Sequence, residues 1–205
     1  MSLTKKNFNI YLFRHGQTDW NKAKRIQGHI DTDLNQTGRD EAKGLAEKLK
    51  SVPLNLLFSS DLKRASQTAE IVNEQHGLEL QKSPLLREAF MGHAQGKTRE
   101  EIIEEYGSQM WDEFRCLDWT NLDASMPGGE TRREQINRFI KFFEEHLFDV
   151  VENDWNVGIA SHGGVLRNII HHKFPTLEEA VQIHNCCCYE IEVRDNIFRS
   201  FSLFH

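Results

Sequence analysis

The first apolar run of the chain is Asn7-Phe8-Asn9-Ile10-Tyr11-Leu12-Phe13, and Arg14-His15-Gly16 follows it directly. Apolar and aromatic residues in a run of this length are typical of a strand, which the polar residues and the glycine then end. A second run, residues 155–160, is followed by Ser161-His162-Gly163-Gly164. In open α/β sheets ligands bind beyond the carboxyl ends of strands, so both histidines are predicted to meet in one crevice.

Helical and strand-like segments alternate along the rest of the chain. Apolar residues at helical spacing predict helices at 37–50, 61–75, 130–148 and 163–173. Further strands are predicted at 54–58, 78–80, 187–193 and 197–203. This alternation predicts an α/β fold, a three-layer sandwich with a mostly parallel central sheet and helices on both faces. The final hairpin predicts at least one antiparallel edge strand.

The length of 205 residues predicts one domain, residues 1–205. Segment 84–129 does not fit the alternation and is predicted to be an inserted cap over one end of the sheet. Three of its aromatic residues, Trp111, Phe114 and Trp119, are interpreted as the core of that cap rather than as a substrate wall.

Composition and charge exclude several function classes. The 31 acids against 25 Lys and Arg give a net charge of −6, which argues against binding to nucleic acid or a membrane surface. No apolar run approaches the roughly 18 residues that span a bilayer. Residues 1–6 lack the apolar stretch of a signal peptide, so the cysteines are expected to be reduced and the protein cytoplasmic. Adjacent strand residues point to opposite faces, so residues 186–188, three cysteines, are interpreted as small buried side chains rather than metal ligands.

Five side chains suited to phosphate chemistry are predicted to converge at the carboxyl edge of the sheet. Guanidinium groups match phosphate oxygens in shape and charge. A histidine can attack phosphorus when its ring is neutral, and neighbouring arginines lower its pKa and keep it so. A carboxylic acid can protonate the leaving oxygen. The five residues are Arg14, His15, Arg64, Glu88 and His162.

Two further features bear on ligand binding. Gly163 and Gly164 open a helix whose first N–H groups are expected to face an anion. Lys22, Lys24 and Arg25 either hold a second anionic group or form a solvated loop, and a solvated loop is the more common role of such a trio. Nothing in the sequence resembles the ligand sets of two-metal phosphatases, so neither a metal nor a cofactor is predicted.

The chain resembles the histidine phosphatase superfamily, the phosphoglycerate-mutase-like group, and within it the small phosphatases. The family's motifs occur in order across residues 10–170. The matching stretches are Leu12 to Asn21, Asp33 to Arg39, Phe58 to Ala69, Leu86-Arg87-Glu88, Pro127-Gly128-Gly129-Glu130 and Ala160 to Gly164.

The resemblance implies a role for each matching residue. His15 resembles the nucleophile that becomes phosphohistidine, and Glu88 resembles the proton donor. The phosphate pocket would consist of Arg14, Arg64 and His162. Residues matching positions that line the phosphate or the substrate in relatives are Asn21, Gln27 and Gly28, and Gly163 joins them through its helix N-terminus.

Three functions follow from the resemblance. The leading prediction is a metal-independent phosphatase, a phosphoric monoester hydrolase acting on a small phosphorylated metabolite. The alternatives are a cofactor-dependent phosphoglycerate mutase and a catalytically silent phospholigand-binding protein. Against the mutase, residues 89–98 lack the tyrosine and asparagine of mutases, and Arg132-Arg133 comes too late in the chain to match their arginine pair. The oligomeric state stays open, a homodimer included.

Overall fold

Six strands form one mixed sheet in the computed structural model, which describes residues 5–115, 121–177 and 179–205. The strands are β1 (Phe8–Arg14), β2 (Leu56–Ser60), β3 (Leu80–Ser83), β4 (Trp155–Ser161), β5 (Cys188–Arg194) and β6 (Ile197–Leu203). Their order is β3-β2-β4-β1-β5-β6. The first four are mutually parallel, whereas β5 is antiparallel to β1 and the edge strand β6 is antiparallel to β5. The predicted mostly parallel sheet and antiparallel hairpin are confirmed.

Within the described residues seven α-helices accompany the sheet. They are α1 (Asp19–Lys22), α2 (Gln36–Leu49), α3 (Lys63–Asn73), α4 (Arg99–Tyr106), α5 (Ser108–Arg115), α6 (Arg132–Phe142) and α7 (Gly163–Lys173). The helix predicted at 130–148 begins two residues later, because the Thr131 side chain caps it and Glu134 completes a capping box. It ends in a π-helical turn, Phe143–Leu147.

Helices cover both faces of the sheet because β1 alternates its apolar side chains between them. Phe8, Ile10 and Leu12 enter one core cluster with residues of α6 and α7. Tyr11 and Phe13 enter the other cluster with residues of α2 and α3. Strand periodicity of two residues produces this division, and the predicted three-layer α/β sandwich is confirmed.

The described part of segment 84–129 holds α4, α5 and two 3-10 turns, Pro84–Leu86 and Gly92–Ala94. Its apolar side chains form a third cluster around Ala94, Ile102 and Met126, separate from the two sheet clusters. Trp119 lies outside the described residues. The division into one domain with an inserted cap stays a prediction. In the described ranges, no helix is long and apolar enough to cross a membrane.

Candidate active site

Two parallel neighbouring strands bring the predicted histidines together. Arg14, the last residue of β1, pairs in register with Ser161, the last residue of β4. His15 directly follows β1 and His162 directly follows β4, and the centroids of the two rings lie 5.2 Å apart. Both rings are buried. The predicted meeting of the two histidines at the carboxyl edge is therefore observed.

One ring nitrogen of His15 is engaged in a hydrogen bond, and the other has a free lone pair. Nδ1 donates a hydrogen bond of 2.7 Å to the carbonyl oxygen of Gly16, so Nε2 carries the lone pair of the neutral ring. Burial holds the pKa of His15 well below 6.5, and the positive charges of Arg64 and Arg14 lower it further. A neutral imidazole with an unprotonated Nε2 is the form that can act as a nucleophile.

Buried hydrogen-bonding atoms surround His15 without protein partners. The terminal nitrogens of Arg64 donate to the carbonyls of Gly28, at 2.7 Å, and Ile30, at 2.9 Å. Among the described residues, however, Arg14 Nε, Arg64 Nε and both ring nitrogens of His162 have no hydrogen-bond partner. Burial lowers the pKa of Arg64 to about 10, which leaves the guanidinium charged at neutral pH. Unsatisfied buried donors on two cations are the groups that a phosphate would satisfy.

A cavity of about 270 Å³ opens at His15 and includes most of the predicted site residues. Arg14, His15, Arg64, Glu88, Asn21, Gln27, Gly28 and Gly163 all line it. His162 does not line the cavity, but its ring packs against that of His15.

Three of these lining residues also shape the loop that follows β1. Asn21 Oδ1 accepts the N–H of Thr18, and the Thr18 hydroxyl lies 3.1 Å from both Asn21 Oδ1 and Gln27 Oε1, to either of which it can donate its proton. Gly28 has a φ of +53° and supplies the carbonyl that Arg64 contacts. Asn21, Gln27 and Gly28 therefore have a bracing function in addition to their predicted contact with substrate.

The basic trio does not act as a unit. Arg25 lines the cavity, but it forms an ion pair of 3.1 Å with Glu101 and donates to the carbonyl of Gly96. Lys22 and Lys24 are exposed and do not line the cavity. The solvated-loop interpretation fits Lys22 and Lys24, and the structure places only Arg25 of the trio near the site.

Among the described residues Glu88 is the one carboxylic acid that lines the His15 cavity. The Ser161 hydroxyl donates to the carbonyl of Leu86 at 2.8 Å, which ties the loop before Glu88 to the end of β4. Glu88 Oε1 accepts the N–H of Ala89 at 2.9 Å, and Oε2 accepts the N–H of Gly164 at 3.0 Å. The N–H of Gly164 is thus taken by the carboxyl group of Glu88, and an anionic ligand at the N–H of Gly163 stays a prediction.

A second cavity of about 310 Å³ adjoins the first, and the two share the lining residues Glu88, Met91, Phe114, Gly164 and Arg167. Phe114 packs against the third cluster, as interpreted, and it also lines both cavities. The sequence also missed polar residues from α6, α7 and the loop before β5. They are Arg132, Gln135, Arg167, Asn168 and Gln182.

Arg132 lies two residues after the motif Pro127-Gly128-Gly129-Glu130, and Gln135 lies three residues later on the same face of the helix. This spacing could have indicated that the face carries site residues. Arg132 thus lines the second cavity, although its place in the sequence does not match the arginine pair of mutases. Among the described residues no group of three His, Cys, Asp or Glu side chains is arranged to hold a metal ion. The predicted metal independence is left to the experiments below.

An α/β sheet with a neutral buried histidine, two charged arginines and a carboxylic acid at its carboxyl edge defines a phosphate-handling enzyme site. Comparison with known proteins agrees. Residues 10–203 match the family model described as histidine phosphatase superfamily (branch 1). The chain belongs to the histidine phosphatase superfamily, whose phosphatases are phosphoric monoester hydrolases.

The relatives include both phosphatases and mutases. A 2,3-bisphosphoglycerate-dependent phosphoglycerate mutase of Gloeobacter violaceus is 30% identical over 86% of this chain and 82% of its own. A mycobacterial glucosyl-3-phosphoglycerate phosphatase, solved with VO3, has a TM-score of 0.79 and 27% identity over 95% of this chain and 96% of its own. YhfR of Bacillus stearothermophilus has a TM-score of 0.82 and 27% identity over 94% of both chains.

Proposed function

We propose that this chain hydrolyses the phosphomonoester of a small metabolite through a phosphohistidine at His15, without a metal ion. One observation carries the proposal. The buried Nε atoms of Arg14 and Arg64 and the ring nitrogens of His162 lack partners among the described residues, and they surround a histidine whose Nε2 carries a lone pair. A phosphoryl group beside His15 would accept hydrogen bonds from the two Nε–H groups and from the single N–H of the neutral His162 ring.

The first step transfers the phosphoryl group. The lone pair of His15 Nε2 forms the bond to phosphorus as the ester P–O bond breaks, and Glu88 gives a proton to the leaving oxygen. Arg14 and Arg64 are fixed beforehand by backbone carbonyls, so they stabilise the equatorial oxygens without reorganising during the reaction.

The second step is hydrolysis. Glu88, now a carboxylate, takes a proton from a water molecule whose oxygen attacks phosphorus, and the N–P bond breaks with its electrons returning to Nε2. Inorganic phosphate leaves, and the neutral imidazole and the protonated acid are restored. The adjoining cavity of about 310 Å³ provides room for the leaving group beside Glu88.

The proposal is tested by phosphate release from a panel of phosphorylated metabolites, with and without a chelator. We expect at least one substrate to be hydrolysed at the same rate in the presence of the chelator, and His15→Ala to abolish turnover. Activity that the chelator removes and Mg²⁺ or Zn²⁺ restores would contradict the metal-free mechanism.

A phosphoglycerate mutase remains the second candidate, because the curated relative from Gloeobacter violaceus carries that activity in its name. We favour hydrolysis because residues 89–98 contain neither the tyrosine nor the asparagine expected of a mutase.

The proposed partner is the metabolite itself; neither nucleic acid nor a membrane is proposed, given the net charge of −6. Cys186, Cys187 and Cys188 are free thiols, which supports the proposed cytoplasmic location. Burial raises the pKa of the Cys187 thiol to about 11, so it is unreactive at neutral pH.

The proposed domain organisation is one domain with an inserted cap at residues 84–129. The oligomeric state is left to analytical sedimentation, which would distinguish a monomer from a homodimer.

A further inference from the structure

The carboxylate of Glu88 is contacted by a side chain that the sequence did not indicate. Gln135, on α6, donates from Nε2 to Glu88 Oε1 at 3.0 Å. Its own Oε1 accepts a hydrogen bond of 2.5 Å from Nδ2 of Asn168, on α7. Gln135 is 1% exposed, and both amides line the cavity beside Glu88. A chain of hydrogen bonds therefore links two helices to the proposed acid.

The two amides determine which group faces Glu88. A glutamine side chain has an acceptor end and a donor end. The N–H of Asn168 requires the acceptor end of Gln135, so its donor end must point to Glu88. Glu88 Oε1 then accepts two N–H groups, from Ala89 and from Gln135, whereas Oε2 accepts, among the described residues, only that of Gly164. The two in-plane lone pairs of Oε1 are occupied, and one of Oε2 is left for a proton.

We propose that Gln135, oriented by Asn168, is a positioning residue that keeps Glu88 Oε1 an acceptor and so places the acid's proton on Oε2. The proposal rests on the proposed role of Glu88. In the first step the Oε2–H bond breaks and the proton moves to the leaving oxygen as the ester P–O bond breaks. In the second step a proton from water returns to Oε2.

The backbone around Glu88 is held independently of Gln135. Arg138, one turn further along α6, donates to the carbonyls of Leu85, Arg87 and Glu88 at 2.7, 3.0 and 3.2 Å. It also forms a half-buried ion pair of 2.9 Å with Glu130. Removing the Gln135 amide should therefore release the carboxyl group of Glu88 and leave its main chain in place.

The test compares two substrates. Gln135→Met keeps the length of the side chain but removes both hydrogen bonds, Asn168→Ala removes the anchor, and Asn137→Ala changes an exposed residue of the same helix as a control. We measure kcat and KM for the best alkyl phosphate of the panel and for 4-nitrophenyl phosphate, whose leaving group needs little protonation.

Gln135→Met should lower kcat on the alkyl ester by about 10- to 100-fold, because a displacement of about 1 Å can cost that much. It should lower kcat on 4-nitrophenyl phosphate less than about 3-fold, with KM unchanged. Asn168→Ala should act in the same direction and more weakly, and Asn137→Ala should have no effect. An equal loss on both substrates would make Gln135 merely structural and overturn the proposal.

A double-mutant cycle separates this proposal from the one on which it rests. Glu88→Gln alone should slow the alkyl ester by about 10²- to 10⁴-fold and 4-nitrophenyl phosphate much less. In the Glu88→Gln background, Gln135→Met should cost nothing more, because it acts through Glu88. If Gln135→Met lowers kcat as much in the Glu88→Gln background as in the wild type, the positioning role is wrong, but the proposed role of Glu88 is unaffected. If Glu88→Gln itself shows no leaving-group dependence, the proposed function of Glu88 fails as well.

Discussion

The protonation state of His15 follows from its surroundings. The side chain is 3% exposed, and two guanidinium groups at the cavity oppose a positive charge on its ring. Both effects favour the neutral form, so the pKa is lowered and the proposed nucleophile is unprotonated at neutral pH. Burial also lowers the pKa of His162, so its ring adds no further positive charge beside His15.

We therefore expect the ring of His15 to titrate well below pH 6.5. Arg64→Met should raise its pKa toward 6.5, because a positive charge is removed while burial remains. Arg199→Met, at an exposed position of β6, is the control and should have no effect. The measurement is the pH titration of the imidazole C–H signals by NMR, assigned with His15→Ala. A value at or above 6.5 in the wild type would contradict the electrostatic account.

The positions of the two histidines could be predicted from the sequence, because they depend on local order. His15 and His162 each follow an apolar run, and the ends of parallel strands meet at one edge of a sheet. The partners of Glu88 could not be predicted. Gln135 and Asn168 lie 47 and 80 positions further along the chain, and only the packing of α6 and α7 brings them to the carboxylate.

At the scale of elements, the first turn of α7 acts as a support for the proposed acid. A Cβ atom on Gly164 would lie 2.4 Å from Glu88 Oε1, and one on Gly163 would lie 3.3 Å from Arg14 Nε. Helix α7 thus begins with two glycines because site side chains approach its backbone closely. The sequence predicted a helix entered through glycines, but it could not show that Glu88 takes the N–H of Gly164.

Gly164→Ala should displace the carboxyl group of Glu88 and lower kcat on an alkyl phosphate by about 10-fold or more. Gly44→Ala is a matched control within α2, where an added Cβ meets no atom within 4 Å. This control should keep full activity and should unfold at slightly higher temperature, since alanine favours a helix over glycine by about 1 kcal/mol. Steady-state kinetics and thermal unfolding check both variants. Full activity of Gly164→Ala would show that Glu88 tolerates displacement.

The helix boundaries show which parts of an element depend on local sequence. The start of α6 is determined by the capping box of Thr131 and Glu134, which is visible in the sequence. Its conversion to a π-helical turn at Phe143–Leu147 has no comparable local signal. Phe142, Phe143 and Leu147 are buried in the sheet cluster there, so tertiary packing decides the end of the helix.

At the scale of the whole molecule, the chain should catalyse net hydrolysis rather than isomerisation. A mutase must retain a doubly phosphorylated intermediate while that intermediate reorients in the site, and it must keep water away from the phosphohistidine. The His15 cavity of about 270 Å³ and the adjoining cavity of about 310 Å³ are both open to solvent, so water can reach a phosphoryl group held at His15. Incubation with 3-phosphoglycerate and 2,3-bisphosphoglycerate should give free phosphate, with negligible 2-phosphoglycerate. Isomerisation much faster than phosphate release would identify a mutase instead.

The central claim is a covalent bond between His15 Nε2 and phosphorus, and rapid-quench labelling with a ³²P-labelled substrate tests it most directly. The account predicts a phosphoenzyme that forms within the first turnover, survives alkali, is lost in acid and maps to the peptide containing His15. The His15→Ala protein should form none while keeping its fold and binding vanadate. Wild-type turnover without a labelled intermediate, a label on another residue, or a near-normal rate in His15→Ala would contradict the account.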